Sequence, residues 1–346
     1  MSYNILKMQK DSFVKFKTLI SKSNHIVIVT HYNPDGDAMG SSLALYNYLL
    51  KLNKDVTVVT PNEYPDFLHW LPGNKKVIAY SKQEKKATSI VLKSDLIFTL
   101  DFNSLSRLEG LGDLIKSTTA KKIVIDHHQQ PEQYANLMFH DVLACSTCEL
   151  VYEFICGLGG KKLIDVDIAS CLYTGIMTDT GSFRFDSVTP TTHKILAELL
   201  ATGLKPSTVH SAIYDTYSQS RVKLLGYCLT EKMVVIPELQ TAYMALSEKE
   251  LQKFDYQKGD TEGIVNYPFS IKGITFCAFF SEGDGKIKMS FRSKGKFDVN
   301  QFARKYFNGG GHINAAGGRS NVNDLQKTVD QFLSLLPAYK KEILKK

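Results

Sequence analysis

The chain has 346 residues, 43% hydrophobic and 22% charged, with a formal net charge of +7. At roughly 150 residues per domain that length favours about two domains. The absence of any apolar run of about 18 residues excludes a helical membrane span, and lysines scattered over solvated faces account for most of the positive charge, which by itself does not make a nucleic-acid protein.

The N-terminal stretch MSYNILKMQKDSFVKFKTLI mixes charged and apolar residues at helical spacing. It lacks the apolar core and cleavage site of a signal peptide. The six cysteines are few for the length and form no disulfide framework, so a reducing cytoplasm is expected. HIVIVT (25–30) is a β-branched run, followed by the turn NPDGD and a helical pattern through Leu43, Leu45, Leu49 and Leu52. DVTVVT (55–60), SDLIFTL (94–100) and KKIVI (121–125) read as further strands, and TCELVYEFICGLG and DVDIASCLYTGIMTDTG as mostly helical. Continuous apolar strands alternating with helices indicate an α/β fold, a parallel sheet with crossover helices.

From Thr189 a helical pattern runs for about 40 residues, broken at Gly203 and Pro206. It reads as a linker. Beyond it, VVIPELQTAYMALS suggests two strands around a turn, and Ser247 with Glu250 forms a capping box. ITFCAFFSEGDGKIKMSFRS resembles a hairpin, and Asp298 suits the N-cap of FDVNQFARKYF. The expected organisation is an α/β domain over 1–190, a helical linker over 191–224 and a smaller α+β domain over 225–346.

The polar residues of the first half fall at particular places. IVIVT is followed by His31, Asp35 and Asp37, LIFTL by Asp101, KIVI by Asp126, His127 and His128, and GIMT by Asp179, so four segments deliver Asp or His to a common edge. In an open parallel sheet all carboxyl ends of the strands lie on one edge, where ligands bind at the topological switch point. A single Asp after a strand is usually a turn former or an N-cap; the weight comes from joint occurrence at one edge. So many carboxylates in one crevice repel one another unless they keep protons or cations fill the site. Oxygen and imidazole donors suit Mn²⁺ better than Zn²⁺ and are compatible with Mg²⁺, and two such ions side by side are the usual machinery for attack on a phosphate ester.

HYNPDGDAMGSS, the Asp of LDFNS, IDHHQQP and TDTGSFRF resemble the four motifs of the DHH phosphoesterases, and NGGGHINAAGG (308–318) resembles the glycine-rich signature of their DHH-associated C-terminal domain, type 1. The likeness runs from His31 to Gly318, with no missing metal ligand. It implies a Rossmann-like DHH domain with its active site in an interdomain cleft. It also implies roles. His31, Asp35 and Asp101 would hold one Mn²⁺, and Asp37, Asp101, His127 and Asp179 a second, with Asp101 bridging. His128 would face the scissile phosphate, and Asp126 would orient a histidine. In the second domain, Gly309, Gly310 and Gly311 would present backbone amides to a phosphate at a helix N-terminus, His312 would add a donor, and Arg292 would grip a terminal phosphate.

A two-domain chain of this kind is similar to the bifunctional oligoribonucleases that also dephosphorylate 3′-phosphoadenosine-5′-phosphate (pAp). The implied activity is two-metal hydrolysis of short oligoribonucleotides to 5′-mononucleotides, of pAp to AMP, or of both. The alternatives are a phosphodiesterase for linear or cyclic dinucleotides, pApA or cyclic di-AMP, and, in another class, a non-catalytic nucleotide sensor. Short RNA or small nucleotides are the expected partners, with no membrane and, on the family pattern, a homodimer. Cys145 and Cys148 form a C-x-x-C without a second pair at zinc-like spacing and read as structural. His25, His69, His140, His193 and His210 lie outside any constellation, Trp70 reads as core, and Arg184 serves either a phosphate or a local carboxylate.

Overall fold

The apolar runs become strands because β-branched side chains pack well on both faces of a covered sheet. In the computed structural model, which describes residues 10–345 apart from 258, 284 and 321, the chain divides after Thr216 into two units. The first unit begins with helix α1 (Lys10–Lys22) and strand β1 (His25–Thr30). Helix α2 (Gly36–Lys51) and strands β2 (Asp55–Thr60) and β3 (Ile78–Ala79) follow. Next come α3 (Glu84–Lys93), β4 (Leu96–Leu100), α4 (Gly110–Ser117), β5 (Lys121–Asp126) and β6 (Leu137–His140). Helices α5 (Thr147–Gly157), α6 (Val166–Asp179), α7 (Pro190–Leu200) and α8 (Pro206–Tyr214) complete it. Strands β3 and β6 and helices α3 and α4 carry no signal strong enough to mark them in the sequence. Two- and four-residue strands are too short to show a period.

The six strands form one parallel sheet in the order β3-β2-β1-β4-β5-β6. Ile28 pairs with Val58 on one side and with Phe98 on the other, and Phe98 pairs in turn with Ile123. The chain winds outward from β1 in one direction and returns to continue from β4 in the other, so the switch point lies between β1 and β4. Both faces are covered. Ile26, Ile28, Phe98 and Ile125 pack with residues of α2, α5 and α6, whereas Val27, Val29 and Ile97 pack with Ala87 and Val91 of α3 and Leu111 and Ile115 of α4.

DVDIASCLYTGIMTDTG is helical, as its pattern suggests. Asp179 closes helix α6, so it reaches the sheet edge from a helix end. Helix α6 crosses α2 closely: a Cβ on Gly40 would stand 2.5 Å from the Cys171 carbonyl oxygen and one on Gly175 would stand 2.6 Å from Asp37 Oδ1.

The second unit begins with α9 (Gln219–Tyr227), β7 (Val234–Ile236), β8 (Thr241–Leu246) and α10 (Glu248–Lys253). It continues through β9 (Phe276–Gly283), β10 (Lys286–Ser293), α11 (Val299–Tyr306), β11 (Gly310–Gly311) and β12 (Ala315–Arg319). Helices α12 (Leu325–Leu335) and α13 (Lys340–Ile343) end it. Its mixed sheet has the order β11-β12-β10-β9-β8-β7. Phe276, Phe280 and Phe291 fill one face with Phe302 and Phe332, and Ala242, Met244 and Cys277 fill the other with Leu224 and Ile264. The capping box of Ser247 and Glu250 and the N-cap Asp298 are both present. Among the described residues no helix is long and apolar enough to cross a membrane.

Candidate metal centre

Each polar residue at the carboxyl edge of the first sheet is held by a local device. Asp35 is the N-cap of α2; its Oδ1 accepts from the backbone amides of Asp37 at 3.1 Å and Ala38 at 3.0 Å. Asp37, in the first turn of α2, receives the backbone amides that open α5: Thr147 N donates to Oδ2 at 2.6 Å and Cys148 N to Oδ1 at 2.9 Å. These are orphan donors of a helix N-terminus, which favour a carboxylate. Asp101 follows β4 with a φ of 67°, a left-handed conformation that is costly for Asp and tends to occur where function demands it. Its Oδ1 accepts from Thr147 Oγ1 at 2.9 Å.

The histidines are set in a particular tautomer. His31 Nδ1 donates to the Tyr32 carbonyl at 2.9 Å and His127 Nδ1 to the Ala144 carbonyl at 3.1 Å, which aims each Nε2 at the carboxylates. His31 Nε2 lies 3.9 Å from Asp35 Oδ1 and 3.5 Å from Asp101 Oδ2. His127 Nε2 lies 3.8 Å from Asp37 Oδ2, 3.6 Å from Asp101 Oδ1 and 3.5 Å from Asp179 Oδ2. Two donor groups result, His31–Asp35–Asp101 and Asp37–His127–Asp179, each with ligand atoms within 4.8 Å of one another. Asp101 turns one oxygen to each group. His128 Nδ1 stands 2.8 Å from Asp126 Oδ1 and 3.8 Å from Asp101 Oδ1.

The electrostatics fit a cation-binding site. Asp37 and Asp101 are each 2% exposed and Asp126 0%. Burial, and then the charge of Asp179, pushes the Asp37 carboxyl up to about 7. Burial, and then the charge of Asp37, pushes Asp101 well above the carboxylate range. Burial opposes a charge on His31, but its hydrogen bonds to Asp101 and Asp35 outweigh it and raise the imidazole to about 10. The protein thus keeps protons in the cluster to balance its carboxylates, which is the role a divalent cation takes over when it binds. Burial pushes His128 down to about 4 against the pull of Asp126, so a neutral His128 donates from Nδ1 to an ionised Asp126.

Thr147, with its hydroxyl on Asp101 and its amide on Asp37, carries no sequence signal beyond following the N-cap Ser146. His140, set apart in the sequence reading, places Nε2 2.7 Å from the carbonyl oxygen of His128. Burial pushes both Cys145 and Cys148 well above the ordinary thiol range, and the Cys145 thiol donates to the buried Glu149 at 2.7 Å, as structural cysteines do. Arg184 donates from Nε to the Gly181 carbonyl at 2.7 Å. Trp70 is half-buried against the core of the first unit.

In the second unit Arg292 lies near the end of β10, paired with Ala315 of β12, just after the turn that carries His312. The helix N-terminus expected at Gly309–Gly311 is not there. These glycines follow the C-terminus of α11, and Gly310 and Gly311 pair with Gly317 and Ala316. A Cβ on Gly309 would stand 2.1 Å from the Gly317 carbonyl oxygen, and one on Gly311 2.3 Å from that of Ala315. Close approach of two strands is therefore sufficient reason for glycine at 309 and 311.

Comparison with known proteins matches residues 25–176 to the DHH family, N-terminal domain, and residues 238–336 to the DHHA1 domain. The bifunctional oligoribonuclease and PAP phosphatase NrnA of Bacillus subtilis is 31% identical, over 86% of this chain and 90% of that protein. The protein of the same name from Thermus thermophilus is 30% identical, over 89% and 88%. The crystal structure of an exopolyphosphatase-related protein from Bacteroides fragilis is 40% identical, covers 97% of this chain and 98% of its own, and superposes with a TM-score of 0.92.

Proposed function

Because the chain belongs to the DHH family and is a hydrolase of phosphoester bonds, we propose that it cleaves short oligoribonucleotides to 5′-mononucleotides and removes the terminal phosphate of pAp. The relatives named for both activities match most of their own length. The observation that carries the reading is Asp101, whose Oδ2 faces His31 at 3.5 Å while its Oδ1 faces His127 at 3.6 Å. A single carboxylate shared between two donor groups suits a pair of divalent ions.

In this reading His31, Asp35 and Asp101 hold one ion, and Asp37, Asp101, His127 and Asp179 the other, with Mn²⁺ favoured by the mixed oxygen and imidazole donors. Such ions, when bound, polarise the phosphoryl oxygens and lower the pKa of water. The chain's own residues do the rest. Asp126 keeps the His128 proton on Nδ1, so Nε2 takes up and hands on a proton at the reacting phosphate. Arg292, Gly309, Gly310, Gly311 and His312 are assigned to the substrate in the second unit. The crowding at Gly309 and Gly311 leaves Arg292 and His312 as the side chains that give this assignment its chemistry.

The test is a panel of pAp, di- to pentanucleotides, pApA and cyclic di-AMP, with Mn²⁺ and with Mg²⁺. The expected result is turnover of pAp and of the short chains with the higher kcat/KM, faster with Mn²⁺. A clear preference for cyclic di-AMP, or turnover of none of them by metal-loaded protein, overturns it.

A further inference from the structure

A cation stands at the same edge as the carboxylates and is paired with none of them. Arg107 lies in a short helical turn, Leu105–Leu108, that follows β4 and Asp101. Its backbone carbonyl accepts from Tyr32 N at 2.8 Å, directly after His31, and its own amide donates to Ser104 O at 3.1 Å. The segment is fixed from a third side as well. Asn103 Nδ2 donates to the Gln129 carbonyl at 2.6 Å, and Glu132 accepts from Ser104 Oγ at 2.7 Å and from Leu105 N at 3.2 Å. The loops after β1, β4 and β5 thus hold the Arg107 backbone in place together.

The side chain is half-buried. Among the described residues its guanidinium makes no hydrogen bond and no ion pair, although Asp35, Asp37, Asp101, Asp126 and Asp179 all lie at this edge. It is nevertheless close, since its carbonyl is bonded to Tyr32 N, next to His31, and Asn103 of the same loop is bonded to the carbonyl of Gln129, next to His128. A partly buried cation without a partner is costly, and a rigid backbone that maintains it argues for an anion brought from outside. Of the anions this enzyme handles, a phosphoryl group beside His31 and His128 is the one within reach, and a guanidinium matches its geometry with two parallel donors.

We infer that Arg107 binds the non-bridging oxygens of the phosphate undergoing hydrolysis, on the side of the centre formed by His31 and His128. The assignment rests on the phosphoesterase reading, and not on which nucleotide is preferred. It makes Arg107 a residue of the first unit that touches the reacting group, distinct from Arg292 in the second.

The experiment compares R107Q and R107K with the parent on bis(p-nitrophenyl) phosphate, which offers a single phosphate, and on pAp, with Mn²⁺ affinity and melting temperature measured in parallel. The expected result is a loss in kcat of about 10²-fold on both substrates in R107Q, of the size found when one donor to a developing charge is removed. R107K should recover part of it, while Mn²⁺ affinity and melting temperature stay at the parent values. A kcat for R107Q within about 2-fold of the parent on both substrates overturns the inference. So does a loss confined to pAp, which would put Arg107 on a distant phosphate, or a loss that saturating Mn²⁺ restores. If the parent turns over bis(p-nitrophenyl) phosphate but not pAp, the nucleotide reading fails while Arg107 is still judged on the diester.

Discussion

His128 Nδ1 lies 2.8 Å from Asp126 Oδ1, and both side chains are buried. The pair is a histidine held in one tautomer by a carboxylate whose Oδ2 has no hydrogen-bond partner among the described residues. Replacing Asp126 by Asn frees that tautomer. D126N should lower kcat by about 10–100-fold, the usual effect of removing a group that orients a functional histidine, with Mn²⁺ affinity within a few-fold of the parent. Steady-state kinetics with calorimetric Mn²⁺ titration checks it; an unchanged kcat refutes the orienting role.

His127 and His128 are adjacent but face different partners. His127 Nε2 points at Asp37, Asp101 and Asp179, and His128 is turned to Asp126. H127A should therefore lose Mn²⁺ affinity, and H128A should mainly lose rate at saturating Mn²⁺. Equal metal loss in both would show that the division of labour is wrong. Removing Asp101, whose two oxygens face His31 and His127, should abolish activity and the tighter Mn²⁺ binding in D101A.

Gly175 has no room for a side chain. A Cβ there would stand 2.6 Å from Asp37 Oδ1 and 2.2 Å from Cys148 Sγ. G175A should destabilise the first unit by about 1–3 kcal/mol through overpacking and weaken Mn²⁺ binding by displacing Asp37. The single tryptophan, Trp70, lies in that unit, so denaturant melts followed by its fluorescence report the first effect, and metal titration the second.

Thr147 donates its hydroxyl to Asp101 at 2.9 Å. T147V keeps the shape and removes the donor, and should cost about 1 kcal/mol of stability or metal affinity. T147S retains the hydroxyl and should behave as the parent. If T147S and T147V fall together, the methyl group's packing rather than the hydrogen bond matters.

Glu250 gives the second unit a pH dependence. Burial opposes its charge, but Lys232 at 2.9 Å and Tyr227 at 2.6 Å, with the Ser247 cap, hold the carboxyl down at about 2. A folded pKa below the unfolded value contributes stability above about pH 4.5 and loses it as the pH falls through about 2. The site is partly solvated, so E250Q should cost about 1 kcal/mol at pH 7 and progressively less below pH 4. Hydrogen exchange over residues 234–254, compared with the parent at each pH, reads this directly. A difference independent of pH would remove Glu250 from the acid response.

The sequence alone determined which chemistry is present and roughly where. β-Branched runs end in His31, Asp101 and the Asp126–His128 segment because a strand buried on both faces must be apolar along its length and can carry polar groups only where it leaves the sheet. The DHH motifs were legible for the same reason. Tertiary structure alone decided the approach distances and which oxygen faces which nitrogen. Asp179, at the end of helix α6, is brought within 3.5 Å of His127 Nε2 by how that helix packs. The amides of Thr147 and Cys148 reach Asp37 across more than a hundred residues, and Gly309 and Gly311 serve strand contact rather than a helix N-terminus. Periodicity reports only the side of an element on which a residue lies. Partners distant in sequence meet according to how the elements pack, and no local pattern encodes that.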